Sequence, residues 1–175
     1  MPTRDSYNGD PIYSSSDVVN GTITLPSAAG TFTAGDAVSD TGTNIFSFVN
    51  AVQRNDHSGV IVSATLIDSA AVAVAGQFEL WVFDGTMTAD VNDAAFTPTD
   101  AECSALIGVI PFSSSYIGDA TAGAGGNRVY PAIGLNLPFV TGTASRDIYG
   151  AMVVRNAYIY VASEAFVVRL NIAQE

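Results

Sequence analysis

The chain has 175 residues, six arginines, no lysine and seventeen acidic residues, for a formal net charge of -11 and a pI near 4.1. A field of that sign repels nucleic-acid phosphates, so no DNA or RNA partner is expected. Hydrophobic residues make up 48% of the chain and charged residues 13%, but no apolar run reaches the roughly 18 residues of a membrane helix, so no membrane partner is expected and the apolar content must go into a core and an interface.

The length suits one domain with a full core. Cys103 is the only cysteine, so no intrachain disulfide can form. The stretch Met1-Pro2-Thr3-Arg4-Asp5-Ser6-Tyr7 lacks the apolar centre of a signal peptide, so synthesis and folding in a cytosol are expected.

Residues 1–20 are polar, with Gly9, Pro11 and Ser14-Ser15-Ser16. They read either as a frayed terminus or as an arm on a neighbouring subunit, for which Tyr7, Ile12 and Tyr13 supply apolar surface. Residues 18–25 alternate weakly as a first strand, and Phe32 and Val38 are isolated anchors in the Gly/Ala/Ser/Thr-rich stretch 26–43. Residues 44–52, with Ile45, Phe46, Phe48 and Val49, read as a strand, and 54–59 as a turn. In 60–68, Val60, Val62, Ala64 and Leu66 share one face, and Ile61, Ser63, Thr65 and Ile67 the other, as in a central strand. A small-residue connection then leads to 77–84, which could close a hairpin with it. There Phe78, Leu80 and Val82 form a core face, while Gln77, Glu79, Trp81 and Phe83 form a face that ends in two aromatics which something must cover or bind.

Thr99-Asp100-Ala101-Glu102 fits a capping box that opens a short helix, with Pro98 just upstream. At helical spacing Cys103, Leu106 and Ile107 fall on one side, so Cys103 reads as a small buried apolar residue. Strands follow at 106–112, 128–133 and 135–140, the last two separated by Gly134; Pro131 marks an edge position or a bulge. Residues 148–155 and 158–161 are further strand patterns. The clearest is 165–173, with Phe166, Val168, Leu170 and Ile172 on one face. Short strands between Gly/Pro/Ser/Thr turns predict an all-β, single-domain β-sandwich, jelly-roll-like, over residues 21–175.

No constellation for catalysis stands out, and the chain is expected not to be an enzyme. His57, the only histidine, sits in a polar turn, and no Gly-x-Ser-x-Gly elbow occurs. One His and one Cys cannot make a zinc site, and Gly123-Ala124-Gly125-Gly126 precedes a strand rather than a helix, without a lysine. Asp84, Asp90, Asn92 and Asp93 offer oxygen ligands but lack calcium-loop spacing, so a solvated acidic loop is the better reading and no cofactor or metal is expected. Trp81 and Phe83 could form an aromatic platform for a sugar or a protein, although aromatic side chains more often pack inside. The candidate partner-interface residues are therefore Tyr7, Ile12, Tyr13, Trp81 and Phe83.

Four segments, Gly59-Val60-Ile61-Val62-Ser63-Ala64-Thr65-Leu66-Ile67-Asp68, Glu79-Leu80-Trp81-Val82-Phe83-Asp84, Asn92-Asp93-Ala94-Ala95-Phe96-Thr97-Pro98-Thr99-Asp100 and Gly108-Val109-Ile110-Pro111-Phe112, resemble small structural proteins of tailed bacteriophages. Those proteins commonly decorate or cement the head. The resemblance runs from about residue 50 to the C-terminus; residues 1–43 lie outside it. It implies a capsid decoration protein made in the host cytoplasm, bound to the major capsid protein on the outer surface of the virion, and a homotrimer suited to local three-fold points. A glycan- or receptor-binding β-sandwich is the alternative, and an acid-pair hydrolase trails both.

Overall fold

Period-two alternation over the last strand seeds the architecture, because it gives one wholly apolar face that water cannot share. The computed structural model describes residues 15–40, 45–70, 74–117 and 126–174. Among them the strands are β1 (Ser15–Thr24), β2 (Gly30–Phe32), β3 (Ala37–Val38), β4 (Phe46–Phe48), β5 (Ser58–Asp68), β6 (Phe78–Phe83), β7 (Leu106–Phe112), β8 (Tyr116–Ile117), β9 (Arg128–Val140), β10 (Ile148–Val154), β11 (Tyr158–Tyr160) and β12 (Ala165–Gln174), with one short helix, α1 (Asp100–Cys103). The fold is all-β.

The first sheet runs β1-β12-β5-β9-β8, and the second runs β3-β10-β6-β7 with β4 also paired to β10. All these pairings are antiparallel. A two-stranded ribbon, β11-β2, closes one end. One core lies between the two sheets. Phe166, Val168, Leu170 and Ile172 enter it from β12, Ile61, Ala64 and Leu66 from β5, and Phe78, Leu80 and Val82 from β6. Phe78 crosses the gap: its ring meets Tyr130, Tyr158 and Phe166 edge-on at centroid distances of 5.5, 5.2 and 5.3 Å. Gly76 keeps this arrangement possible, since a Cβ there would come within 2.2 Å of the Phe78 ring.

Several sequence expectations need correction. β5 and β6 do not form a hairpin; they lie in different sheets, and the connection between them crosses the sandwich. β5 does not keep one alternation. Its register with both neighbours shifts around Val62, so the buried set passes from Gly59 and Ile61 to Ala64, Leu66 and Asp68. The two strands expected around Gly134 are one strand, β9, which passes the irregularity with Gly134 at φ 71°, a backbone that glycine adopts without Cβ strain. Pro131 pairs with Thr65 of β5 and lies beyond the short reach of β8, which pairs only Val129 and Arg128, so on that side β9 is an edge at Pro131, where a proline is tolerated. The strand expected over 44–52 shortens to β4, with Ala51 and Val52 buried in the turn after it. Strand pairing begins at Ser15, so 15–20 belong to the sheet and not to an arm; Tyr7, Ile12 and Tyr13 lie outside the described residues.

Truncating Leu80 or Leu170 to alanine removes a fully buried side chain from the face that each sheet gives to this core. Each change should cost about 2–5 kcal/mol in denaturant unfolding, with an unchanged m-value; a loss below about 0.5 kcal/mol for both would contradict the face assignment.

Candidate interaction surface

The outer face of the second sheet is the one that ends in Trp81 and Phe83, and the loop after β6 answers how it is covered. The loop is tied down along the β3 edge. Ala37 N–H donates to the Ala94 carbonyl at 2.8 Å, Asp93 N–H to the Ala37 carbonyl at 3.1 Å, and Phe96 N–H to the Gly35 carbonyl at 2.9 Å. Asn92 Oδ1 accepts from Ser39 N–H at 3.0 Å, and Asp90 accepts from the N–H and hydroxyl of Thr97. Thus anchored, Phe96 lies edge-on against Trp81 with ring centroids 5.3 Å apart, and the indole N–H points to Glu79 at 3.4 Å. Phe83 is fully buried yet stands apart from the central core. The chain returns beside it, with Asp84 N–H donating to the Ala105 carbonyl at 3.0 Å. Phe83 therefore offers no surface to a partner and leaves the candidate interface; Trp81 remains half-buried under Phe96.

Helix α1 ends this loop through both halves of the capping box. Glu102 N–H donates to Thr99 Oγ1 at 3.2 Å, and Thr99 N–H donates to the Glu102 carboxylate at 2.8 Å. A second bond to that carboxylate, from Thr88 N–H at 2.7 Å, pins the loop to the helix. Bonds from the N–H groups of Thr99 and Thr88 hold the Glu102 pKa below the usual carboxylate range. The helix is a single turn, so Leu106 and Ile107 belong to β7 and give it no apolar face; Cys103 is exposed, contrary to the expectation.

The other chemically suggestive residues are engaged in structure. The His57 carbonyl accepts from Thr141 N–H at 3.1 Å at the start of β5. Asp90 and Asn92 are spent on the loop bonds above, and among the described residues no three His, Cys, Asp or Glu side chains converge as a metal would require. Asp84 lies with Ser58, Val60, Ile107, Pro138 and Val140 at an open depression, and burial raises its pKa. No described helix is long and apolar enough to cross a membrane.

What sequence reasoning missed is the outer face of the first sheet. Residues that alternate with the core set are Val18, Asn20 and Thr22 on β1, Val167, Arg169, Asn171 and Ala173 on β12, Ser63, Thr65 and Ile67 on β5, and Val129, Pro131 and Ile133 on β9. Register sets Val167, Ile67, Val129 and Tyr116 in one apolar row across four strands. The next row holds Asn20, Arg169, Thr65 and Pro131, and the one beyond holds Val18, Asn171, Ser63 and Ile133. Ile133 is 84% exposed and Tyr116 68%, so neither has found cover within the chain. Arg169 is the one charge in these rows, at a shallow depression lined by Val18, Ser63, Thr65 and Asn171. In a chain with a net charge of -11, these rows hold no acidic residue among the described ones. No local motif could have revealed this face, because it depends on which strands are neighbours.

No protein-family model matches the chain, and no curated protein matches it. Among solved structures, the chain is similar to one from a cyanophage Pam1 capsid asymmetric unit, with 16% identity, 99% of both chains covered and a TM-score of 0.37.

Replacing Phe96 with alanine should uncover Trp81. Its fluorescence maximum should move to longer wavelength, with a stability loss of about 1–3 kcal/mol, since Phe96 is half-buried rather than core; an unchanged emission spectrum would show that the loop does not shield the indole.

Proposed function

We propose that the protein is a non-enzymatic structural component of a phage virion, a decoration or cement protein that binds the outer surface of the major capsid protein shell and stabilises it. The observation that carries this reading is the outer face of the first sheet, whose described rows hold no acid and where Val18, Tyr116 and Ile133 are exposed beside Arg169. A broad, nearly neutral face with a shallow depression at Arg169 is poor at enclosing a small molecule, for which pockets are concave. It suits a broad protein surface, against which apolar rows are buried at about 25 cal/mol per Å². The acidic residues elsewhere then keep the rest of the particle surface charged and hydrated.

Two further features support the reading. The resemblance of segments 59–68, 79–84, 92–100 and 108–112 to phage head proteins falls on β5, β6, the Trp81-covering loop and β7, which together build much of both sheets. The chain alternates between sheets so that β1, β12, β5 and β9 face β3 with β4, β10, β6 and β7, which supports a jelly-roll reading. In our reading a homotrimer presents three such faces to neighbouring capsid subunits. Residues 1–14 act as the arm that reaches a neighbour. Clamping across subunit joints stabilises the shell by mass action, since the protein binds the assembled form and not its separated parts. Residence on the outside of the particle agrees with the net charge of -11, which disfavours contact with packaged nucleic acid.

The test pairs Ile133→Asp and Arg169→Glu with a loop control, Val91→Asp, whose site is also exposed. Purified proteins are mixed with DNA-free shells of the virus that encodes the chain, and bound protein is measured by co-sedimentation. The wild type and the Val91 variant should bind alike, while the two face variants should lose at least tenfold in affinity, about 1.4 kcal/mol, with melting temperatures unchanged. A wild type that ignores shells but binds a glycan panel through Trp81 would favour the receptor-binding alternative.

A further inference from the structure

Inside the end of the sandwich closed by the β2–β11 ribbon, two carboxylates meet one phenol. The Tyr158 hydroxyl lies 3.0 Å from Asp68 Oδ2 and 2.5 Å from Glu164 Oε1. All three side chains are shut away from solvent, with relative exposures of 0%, 0% and 1% for Tyr158, Asp68 and Glu164. The far carboxylate oxygens are already used: Asp68 Oδ1 accepts from Ala70 N–H at 2.7 Å, and Glu164 Oε2 from Val161 N–H at 2.8 Å. A phenol carries one hydrogen, so it can donate to one carboxylate only. The other contact of hydrogen-bond length needs a hydrogen from the acid itself. With both acids ionised, two like charges would face one hydroxyl in a dry site, an arrangement that paired carboxylates avoid by retaining a proton.

We propose that Glu164, Tyr158 and Asp68 form a proton-locked latch, in which a protonated Glu164 closes the β2–β11 end of the sandwich and the latch loosens when that proton is lost. The surroundings say which acid holds the proton. Asp68 stands directly across from Arg128 in the β5–β9 register, and that cation favours its ionised form. Beside Glu164 the nearby charge is the Asp68 carboxylate, which disfavours a second negative charge and is itself within hydrogen-bonding reach of the Glu164 carboxyl; the Val161 N–H donates to its other oxygen. Around the phenol, β9 adds Tyr130, whose hydroxyl accepts from Gly76 N–H at 3.2 Å, and β6 and β12 bring the apolar rings Phe78 and Phe166. The three groups then share two hydrogens, one from the Tyr158 hydroxyl and one retained by the Glu164 carboxyl, which lies within reach of both Tyr158 and Asp68. Burial pushes the Glu164 carboxyl up to about 8, and burial raises Asp68 as well.

The latch closes a real joint. Tyr158 begins β11, Glu164 precedes β12, and Asp68 ends β5. The turn between β11 and β12 carries Ser163 at φ 57° and is tied to the end of β1, where Leu25 N–H donates to the Glu164 carbonyl at 2.8 Å and Ser163 N–H to the Pro26 carbonyl at 2.9 Å. Losing the proton therefore acts on the ribbon and on the ends of β1, β5 and β12 at once.

The sign of the pH dependence follows from proton counting. A Glu164 pKa raised from 4.5 to about 8 means that between those values the folded chain holds a proton that the unfolded chain has released. This group's contribution to stability is full below pH 4.5, falls as pH rises through that window, and is flat above it. The test compares melting temperatures of the wild type and Glu164→Gln, whose amide can donate to Tyr158 and accept from Val161 at every pH. Their difference, wild type minus variant, should fall by roughly 5 °C or more between pH 5 and 8.5, which cancels the titration of all other groups. Parallel curves would overturn the latch. Should the variant fail to fold, a carbon-13 carboxyl titration of Glu164 in the unsubstituted protein decides the matter: a midpoint near 8 is expected, and one near 4.5 would overturn the proposal. Amide exchange at Tyr158 to Tyr160, corrected for intrinsic rate, should also lose at least tenfold in protection from pH 6 to pH 9; unchanged protection would show that the proton does not hold the ribbon.

Discussion

Phe78 is the contact on which the two sheets depend. It comes from β6 in the second sheet, and its ring sits among Phe166 of β12, Tyr130 of β9 and Tyr158 of the ribbon, every pair edge-on or nearly so. Edge-to-face packing places the positive rim of one ring on the negative face of the next, and each such pair contributes about 0.5–1.5 kcal/mol beyond its buried area. It also fixes direction, which a pile of aliphatic side chains would not. The position is reached just after the chain crosses from the first sheet to the second, so the cluster both ends the crossover and sets the spacing between sheets. The two tyrosines bring their hydroxyls to one side of it, and that is why buried carboxylates can exist there at all. Burial raises the pKa of both phenols, which stay protonated hydrogen-bonding partners.

Much of this was legible in the amino-acid order, for a physical reason. Where a strand has one face to the core and one to solvent, the period of two is the signal itself; so β12 and the core face of β6 were read directly, and Phe78, Leu80, Val82, Phe166, Val168 and Leu170 are all buried to within 1%. The capping box was equally plain, because Thr99 and Glu102 satisfy each other locally. Errors arose where the outcome was decided by a partner strand. The shift at Val62 changes which residues of β5 face inward, and nothing in Val60-Ile61-Val62-Ser63 announces it. Pairing β5 with β12 and β9, rather than with β6, is a choice among distant strands. The helical spacing of Cys103, Leu106 and Ile107 implies a helix face that a one-turn helix does not have.

The polar interior was the least legible part. Asp68 and Glu164 look like any turn carboxylates in the sequence, at Asp68-Ser69 and Ser163-Glu164. Their burial follows from Tyr158, ninety positions away from Asp68 along the chain. The candidate partner face has the same origin. Val167, Ile67 and Val129 become one row only when β12, β5 and β9 are adjacent. The aromatic pair Trp81 and Phe83 was visible beforehand, and so was the need for a cover. The 84–99 loop supplies that cover, through Phe96 on the indole and backbone bonds to β3. With that side covered, the outer face of the first sheet is, among the described residues, a broad exposed surface, with Ile133 and Tyr116 uncovered.

A reconstruction of the virus particle at a resolution that traces strands tests the proposed contact between this face and a capsid shell. Density for the chain should lie on the outside of the shell, with Val18, Ile133 and Arg169 turned toward the capsid subunits and the Phe96 loop turned to solvent. A particle that lacks the chain, or one that carries it with the Phe96 loop against the shell and the first sheet exposed, would contradict that contact.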